Sequence, residues 1–199
     1  MQQQQQDQAA AGGGGLFADL RGPFNVLTHA AAVAAFPAAV WTTRPGTWGD
    51  RYLGGWAAAG CLWPLVLAAS YGPHPRAGDA LGFWLATLFL LLAHGGWGVT
   101  LRKQGYRAHS RSWGESRLQR GGSIAAQGRA RLLTGLLSLG AGLAASAAGS
   151  EPLGAVIVVS AGAKLFTDGL ALQAAAARVR QAEDARFEGE FYAEEARGR

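Results

Sequence analysis

Apolar residues in this chain fall in long blocks, with the polar residues pushed between them. Crossing the hydrocarbon core of a bilayer takes about 20 predominantly apolar residues in a helix. Four blocks meet that length or come close: 52–71, 80–101, 132–149 and 153–177. A fifth, running from Phe24 to Trp41, is short, rich in Ala and interrupted by Pro37. The pattern predicts an all-α fold, a polytopic bundle of five transmembrane helices, or four if the first block does not span.

The block ends carry signals that explain them. Asp50 and Asp79 precede the second and third blocks and suit N-caps. Pro23 and Pro152 fit the first turns of the first and fifth. Trp41, Trp48, Tyr52, Tyr71 and Trp97 lie near proposed ends, where amphipathic rings favour the headgroup level. Trp63-Pro64 inside the second block predicts a kink. Ahead of the blocks, residues 1–23 form a Gln/Gly-rich tail expected to be disordered, and a basic n-region followed by a compact apolar core is not visible there. The chain thus divides into a tail over 1–23, a membrane bundle over 24–177 and a charged helix or tail over 178–199.

Charged residues are 16% of the chain, against roughly 25% in soluble proteins, and they are segregated. Basic residues of short loops stay cytoplasmic, which orients the bundle. Arg44 and Arg51 lie in the 42–51 link, eight basic residues in the 102–131 loop, and five beyond Ala177. Those fifteen fall on one side of an alternating topology, against Arg21 and Arg76 on the other. The loop and the C-terminus are therefore expected in the cytoplasm, with the bundle in the plasma or inner membrane. Removing the first span would change only the side of the N-terminus.

The 102–131 loop interleaves Arg102, Lys103, Arg107, Arg111, Arg117 and Arg120 with Tyr106, His109 and Trp113, and Glu115 is its one acid. Such a loop attracts anionic lipid headgroups, at about 1 kcal/mol for each basic residue that reaches the surface. Arginine also pairs bidentately with phosphate. Arg102, Lys103, Arg107, His109, Arg111, Arg117 and Arg120 are the candidate residues for binding anionic lipid or a partner. The tail carries six acids and one arginine over 183–195, with Phe187 and Phe191 on one helical face. It can dock another subunit of a membrane complex.

Inside the blocks, Ser138, Gly142 and Ser146 repeat every four residues, the small-xxx-small pattern of closely packed membrane helices. The very short link at 149–152 predicts an antiparallel hairpin between the fourth and fifth helices. Ser160, Lys164 and Asp168 recur every four residues along the fifth. Intramembrane ionisable residues are costly and usually face the bundle interior. Depth arithmetic at 1.5 Å per residue sets His94 of the third block level with Lys164 and Asp168, so these four form a candidate polar cluster.

One cysteine, Cys61, excludes a disulfide within the chain, and the four histidines are too scattered for metal-ligand spacing. No cofactor, metal or nucleic acid is expected. His109, Ser110, Ser112 and Glu115 are close in sequence, but a hydrolytic triad is a matter of geometry, and no catalytic residue is assigned. The expected role is a non-enzymatic accessory or scaffold subunit of a membrane complex. The alternatives are a small transporter or channel subunit using Lys164, Asp168 and His94, and a membrane enzyme that modifies phospholipids.

Overall fold

A computed structural model of the chain describes residues 15–47, 55–105, 115–119 and 123–197. Among these, the chain is all-helical, with five helices and no strand: α1 (Gly15–Thr42), α2 (Gly55–Ser70), α3 (Ala77–Lys103), α4 (Ile124–Ala147) and α5 (Glu151–Arg197). Three of them, α3, α4 and α5, are long and apolar enough to cross a membrane, fewer than the five expected. The apolar stretch of α2, Ala57–Ser70, is shorter.

Helix boundaries depart from the apolar blocks because capping, and not hydropathy, sets them. α4 begins two turns before residue 132. Ser123 is its N-cap, in extended backbone, and its hydroxyl accepts the Ala126 N–H at 3.1 Å. Arg129 and Arg131, counted with the loop, are thereby helical. α3 takes in Arg102 and Lys103, so residues 104–123 remain between the two helices. Asp79 is not the cap of α3: it sits in the first turn, where a carboxylate suits the helix dipole, and accepts the Ser150 hydroxyl at 2.7 Å. α1 starts at Gly15, so Pro23 lies inside the helix and residues 15–23 are not part of an unstructured tail. Asp50, Trp48 and Tyr52 lie outside the described residues.

The α4–α5 hairpin is the closest-packed pair. α4 ends in a Schellman turn: Gly149 donates to Ser146 O and Ser150 to Ala145 O, with Gly149 at φ +83°. Pro152 then takes the second position of α5, where a missing N–H costs nothing. Down the interface, a Cβ at Gly142 would meet Val158 Cγ2 at 2.8 Å and Val158 N at 2.9 Å. One at Gly154 would meet Gly142 O at 2.8 Å. The backbones approach that closely only without side chains. Ser146 packs at Gly154, whereas Ser138 donates to Thr134 O of its own helix.

The second half of α1 is enclosed. Residues 35–40 are all buried, including Phe36 and Val40, so this stretch has no outward face. Phe36, Ala39 and Val40 meet Ala57 and Cys61 of α2, with Leu88, Leu90 and Leu91 of α3 alongside. α5 covers much of the rest of α1.

Links at each end of the bundle are bonded together. At one end, Arg76 of the α2–α3 link donates to Ala148 O. At the other, residues 42–47 meet 115–119: Thr43 and Ser116 form an isolated antiparallel bridge, with Arg44 N to Glu115 O at 2.7 Å and Arg117 N to Thr42 O at 2.9 Å. The two basic links therefore share one end of the helices.

The hairpin generates a direct test. Gly142→Ala should lower the stability of the purified protein by about 1–3 kcal/mol, the usual cost of overpacking, because the new methyl meets backbone. Gly140, where a Cβ meets nothing within 4 Å, should accept alanine without loss. Thermal unfolding in detergent reads both, and equal effects would show that the stripe does not set the helix separation.

Candidate functional site

α5 carries Ser160, Lys164 and Asp168 on one face, and all three are buried, at 0%, 5% and 9% exposure. Spacing of four residues stacks them along one face. Ser160 gives its hydroxyl to Val156 O of the preceding turn at 2.7 Å, so it fills the interface without reaching the charges. Lys164 Nζ donates to Asp168 Oδ2. Asp168 has a second cation. Arg131 Nη1 donates to Oδ1 at 2.9 Å, from α4. One carboxylate thus bridges a lysine on its own helix and an arginine on the neighbouring one.

In sequence, Arg131 stands at the end of the basic 102–131 stretch, which hides its place in α4. A signal for it existed. Extending the stripe of Ser138, Gly142 and Ser146 backwards at helical spacing reaches Thr134 and then Arg131. Both lie on the face that meets α5, Thr134 being buried and Arg131 partly so.

A cavity of about 10 Å³, roughly the space one water needs, lies against the three charges. Ala35 and Ala39 of α1, Thr167 of α5, and Thr43 and Ser116 of the two bonded links complete its wall. The alanines on α1 leave that space, and the hydroxyls line it with polar atoms. The arrangement can hold charge in an apolar surrounding.

His94 lies at the same level but on a neighbouring face of α1. Its Nε2 is 3.0 Å from Val40 O, and Val40 is about 100° around the helix from Ala39. The histidine therefore ties α3 to α1 while the ion group ties α4 to α5. Thr87, also buried on α3, accepts the Trp41 indole N–H at 2.9 Å, and the Trp41 ring stacks on Phe83. Cys61 is buried and contributes its carbonyl to the Trp84 indole.

Of the candidate anion-binding residues, Arg102 and Lys103 are exposed on the last turn of α3. Arg117 spends its Nε on Thr43 O at 2.9 Å, so it straps the two links together. Arg44, not singled out from the sequence, does the same through Gln119 O at 2.9 Å and Glu115 at 3.4 Å. Arg107, His109, Arg111 and Arg120 lie outside the described residues. No group of three or more His, Cys, Asp or Glu among the described residues has the spacing to hold a metal ion.

No family model, curated protein or solved structure matches this chain. The site stands on its own chemistry.

The shared carboxylate sets an order of damage. Asp168→Ala leaves both cations without it, and breaking a buried pair costs about 3–5 kcal/mol. Adding Lys164→Ala should recover part of the loss, and adding Arg131→Leu more. The readout is the amount of folded protein in membranes for the single, double and triple variants. If Asp168→Ala accumulates as well as the triple variant, the charges are hydrated and do not hold the helices.

Proposed function

We propose that this chain is a multi-pass integral membrane protein of five spans, in the plasma or inner membrane, acting as a non-enzymatic accessory or scaffold subunit. The observation that carries the membrane reading is an inverted polarity. Leu85, Phe89 and Leu92 of α3, Leu132, Leu136 and Leu143 of α4, and Val66 of α2 point outward, Phe89 at 71% exposure. Thr87, His94, Thr134, Ser160, Lys164 and Asp168 are buried. In water such a surface is an association liability, whereas in lipid it is the expected exterior.

α1 spans in this reading although it is not among the helices long and apolar enough by themselves, because helices and not lipid surround its second half. α2 spans in this reading although its 16 residues make it the shortest of the five helices. The orientation puts both basic links and the C-terminus in the cytoplasm, from the fifteen-to-two distribution of basic residues. Anionic headgroups meet Arg102 and Lys103 there.

α5 is 47 residues long, about 70 Å at 1.5 Å per residue, more than twice the thickness of the hydrocarbon core. Its last turns stand clear of the bundle, and Phe187, Phe191 and Tyr192 are each at least 65% exposed. A rigid helical arm continuous with a membrane span suits a subunit that holds others in place. The ion group, closed on itself around a one-water cavity, serves as an interhelical tie. A transporter or channel subunit is the second reading, favoured by the contact of that cavity with Thr43 and Ser116 at the aqueous end. It requires proton or ion flux in proteoliposomes that Lys164→Ala abolishes.

Single cysteines placed on a Cys61→Ala background test the orientation. Ala148 and Lys103 are exposed at opposite ends of the bundle, whereas Ser116 is too buried to report. An impermeant maleimide should label cysteine at 148 in intact cells, and at 103 or 187 only after permeabilisation. Labelling of 103 from outside would overturn the orientation.

A further inference from the structure

We propose that α4 and α5 form a seat for one anionic phospholipid of the cytoplasmic leaflet, a site that rests on the membrane reading above. A groove of about 320 Å³ runs between the two helices, lined by Gly128, Arg129, Leu132, Leu165, Gly169 and Leu172, with Asp168 at its floor. Apart from Asp168 and Arg129 its lining is apolar, and Arg129 is exposed.

The depth of the groove matches a lipid. Leu172 lies about 32 Å along α5 from Glu151, and the hydrocarbon core is about 30 Å thick. The pair Gly128 and Leu172, whose packing would leave a Cβ on Gly128 3.4 Å from Leu172 Cδ1, therefore stands at the cytoplasmic boundary. Arg129 is beside it, at the height of phosphate groups. Leu165 is about 10 Å deeper by the same rise, in the acyl region. An arginine at the mouth of an apolar slot fits a phosphate with a chain hanging below it, because guanidinium pairs bidentately with phosphate oxygens. Asp168 does not repel that phosphate strongly, since both its oxygens are already held, by Arg131 and Lys164. Gly169 explains why the slot is open. A Cβ at Gly169 would meet nothing within 4 Å, so the space beside it is free for a chain.

The test fills the slot without disturbing the bundle. Gly169→Leu places a side chain in the open space. Gly162→Leu is its control, seven residues earlier on the same face of α5, also with nothing within 4 Å, and outside the groove lining. Full-length protein is reconstituted in nanodiscs of phosphatidylcholine with a minor share of phosphatidylglycerol, extracted gently and weighed by native mass spectrometry. Wild type and Gly162→Leu should retain one phosphatidylglycerol in preference to phosphatidylcholine. Gly169→Leu and Arg129→Gln should retain about tenfold less, the scale of one charge-assisted interaction. Thermal unfolding in pure phosphatidylcholine should be the same for Gly169→Leu and Gly162→Leu, which shows that the filled slot is not a folding defect. Retention by Gly169→Leu equal to wild type overturns the site. So does equal loss in the Gly162→Leu control, or release of the bound lipid by soluble glycerol phosphate, which would mean that the headgroup alone is held. A wild-type chain that does not enter the nanodiscs contradicts the membrane reading itself, and the lipid site falls with it.

Discussion

An ionised carboxylate has no stable place in an apolar surrounding unless opposite charge and hydrogen bonds reach it. Asp168 meets that condition through Lys164 one turn earlier on α5 and Arg131 on α4. The second partner matters more for architecture than the first. The Lys164 contact is local to one helix and forms wherever α5 is helical. The Arg131 contact exists only if α4 starts early enough to carry Arg131 as a helical residue, and only if the two helices lie close together. Ser123 secures the first requirement by capping α4. Gly142 and Gly154 secure the second by letting backbone approach backbone. α1 then closes the open side with Ala35 and Ala39, whose small side chains leave the one-water cavity.

Much of this was legible in the sequence where the physics is local. The hairpin followed from a short link and a repeat of small residues, and the burial of Lys164 and Asp168 from their place in an apolar block. Helix ends were less legible. Arginine has good helix propensity and is equally at home in a cytoplasmic loop, so hydropathy marks Arg129 and Arg131 as loop while the Ser123 cap makes them helix. Caps and first-turn acids share the same residue types, so Asp79 fits either place in sequence, and only the start of α3 at Ala77 sets it in the first turn.

α1 shows a different reason for misreading. Its block ranked lowest as a span because it is built from Ala and interrupted by Pro37. Its second half nonetheless lies at the centre of the bundle, with Phe36 and Val40 fully enclosed. A helix that touches other helices on every side needs small residues and close contact, whereas a helix that touches lipid needs large apolar ones. Composition tuned to lipid therefore undervalues the helix that organises the others. For His94, depth along a helix is readable from sequence, but the face of α1 that each neighbour meets is not. Equal depth brought it level with Lys164 and Asp168, while its Nε2 reaches Val40 O on the adjacent face.

The inversion of polarity is the claim on which the membrane reading turns, and spin-label accessibility in bilayers measures it directly. Labels at Phe89, Leu136 and Leu143, on the outward apolar faces of α3 and α4, should be relaxed strongly by oxygen, which partitions into lipid, and weakly by a water-soluble nickel chelate. Strong relaxation of all three by the nickel chelate would mean that these faces meet water, and the bundle would then have to be read as a protein whose apolar exterior is covered by something other than lipid.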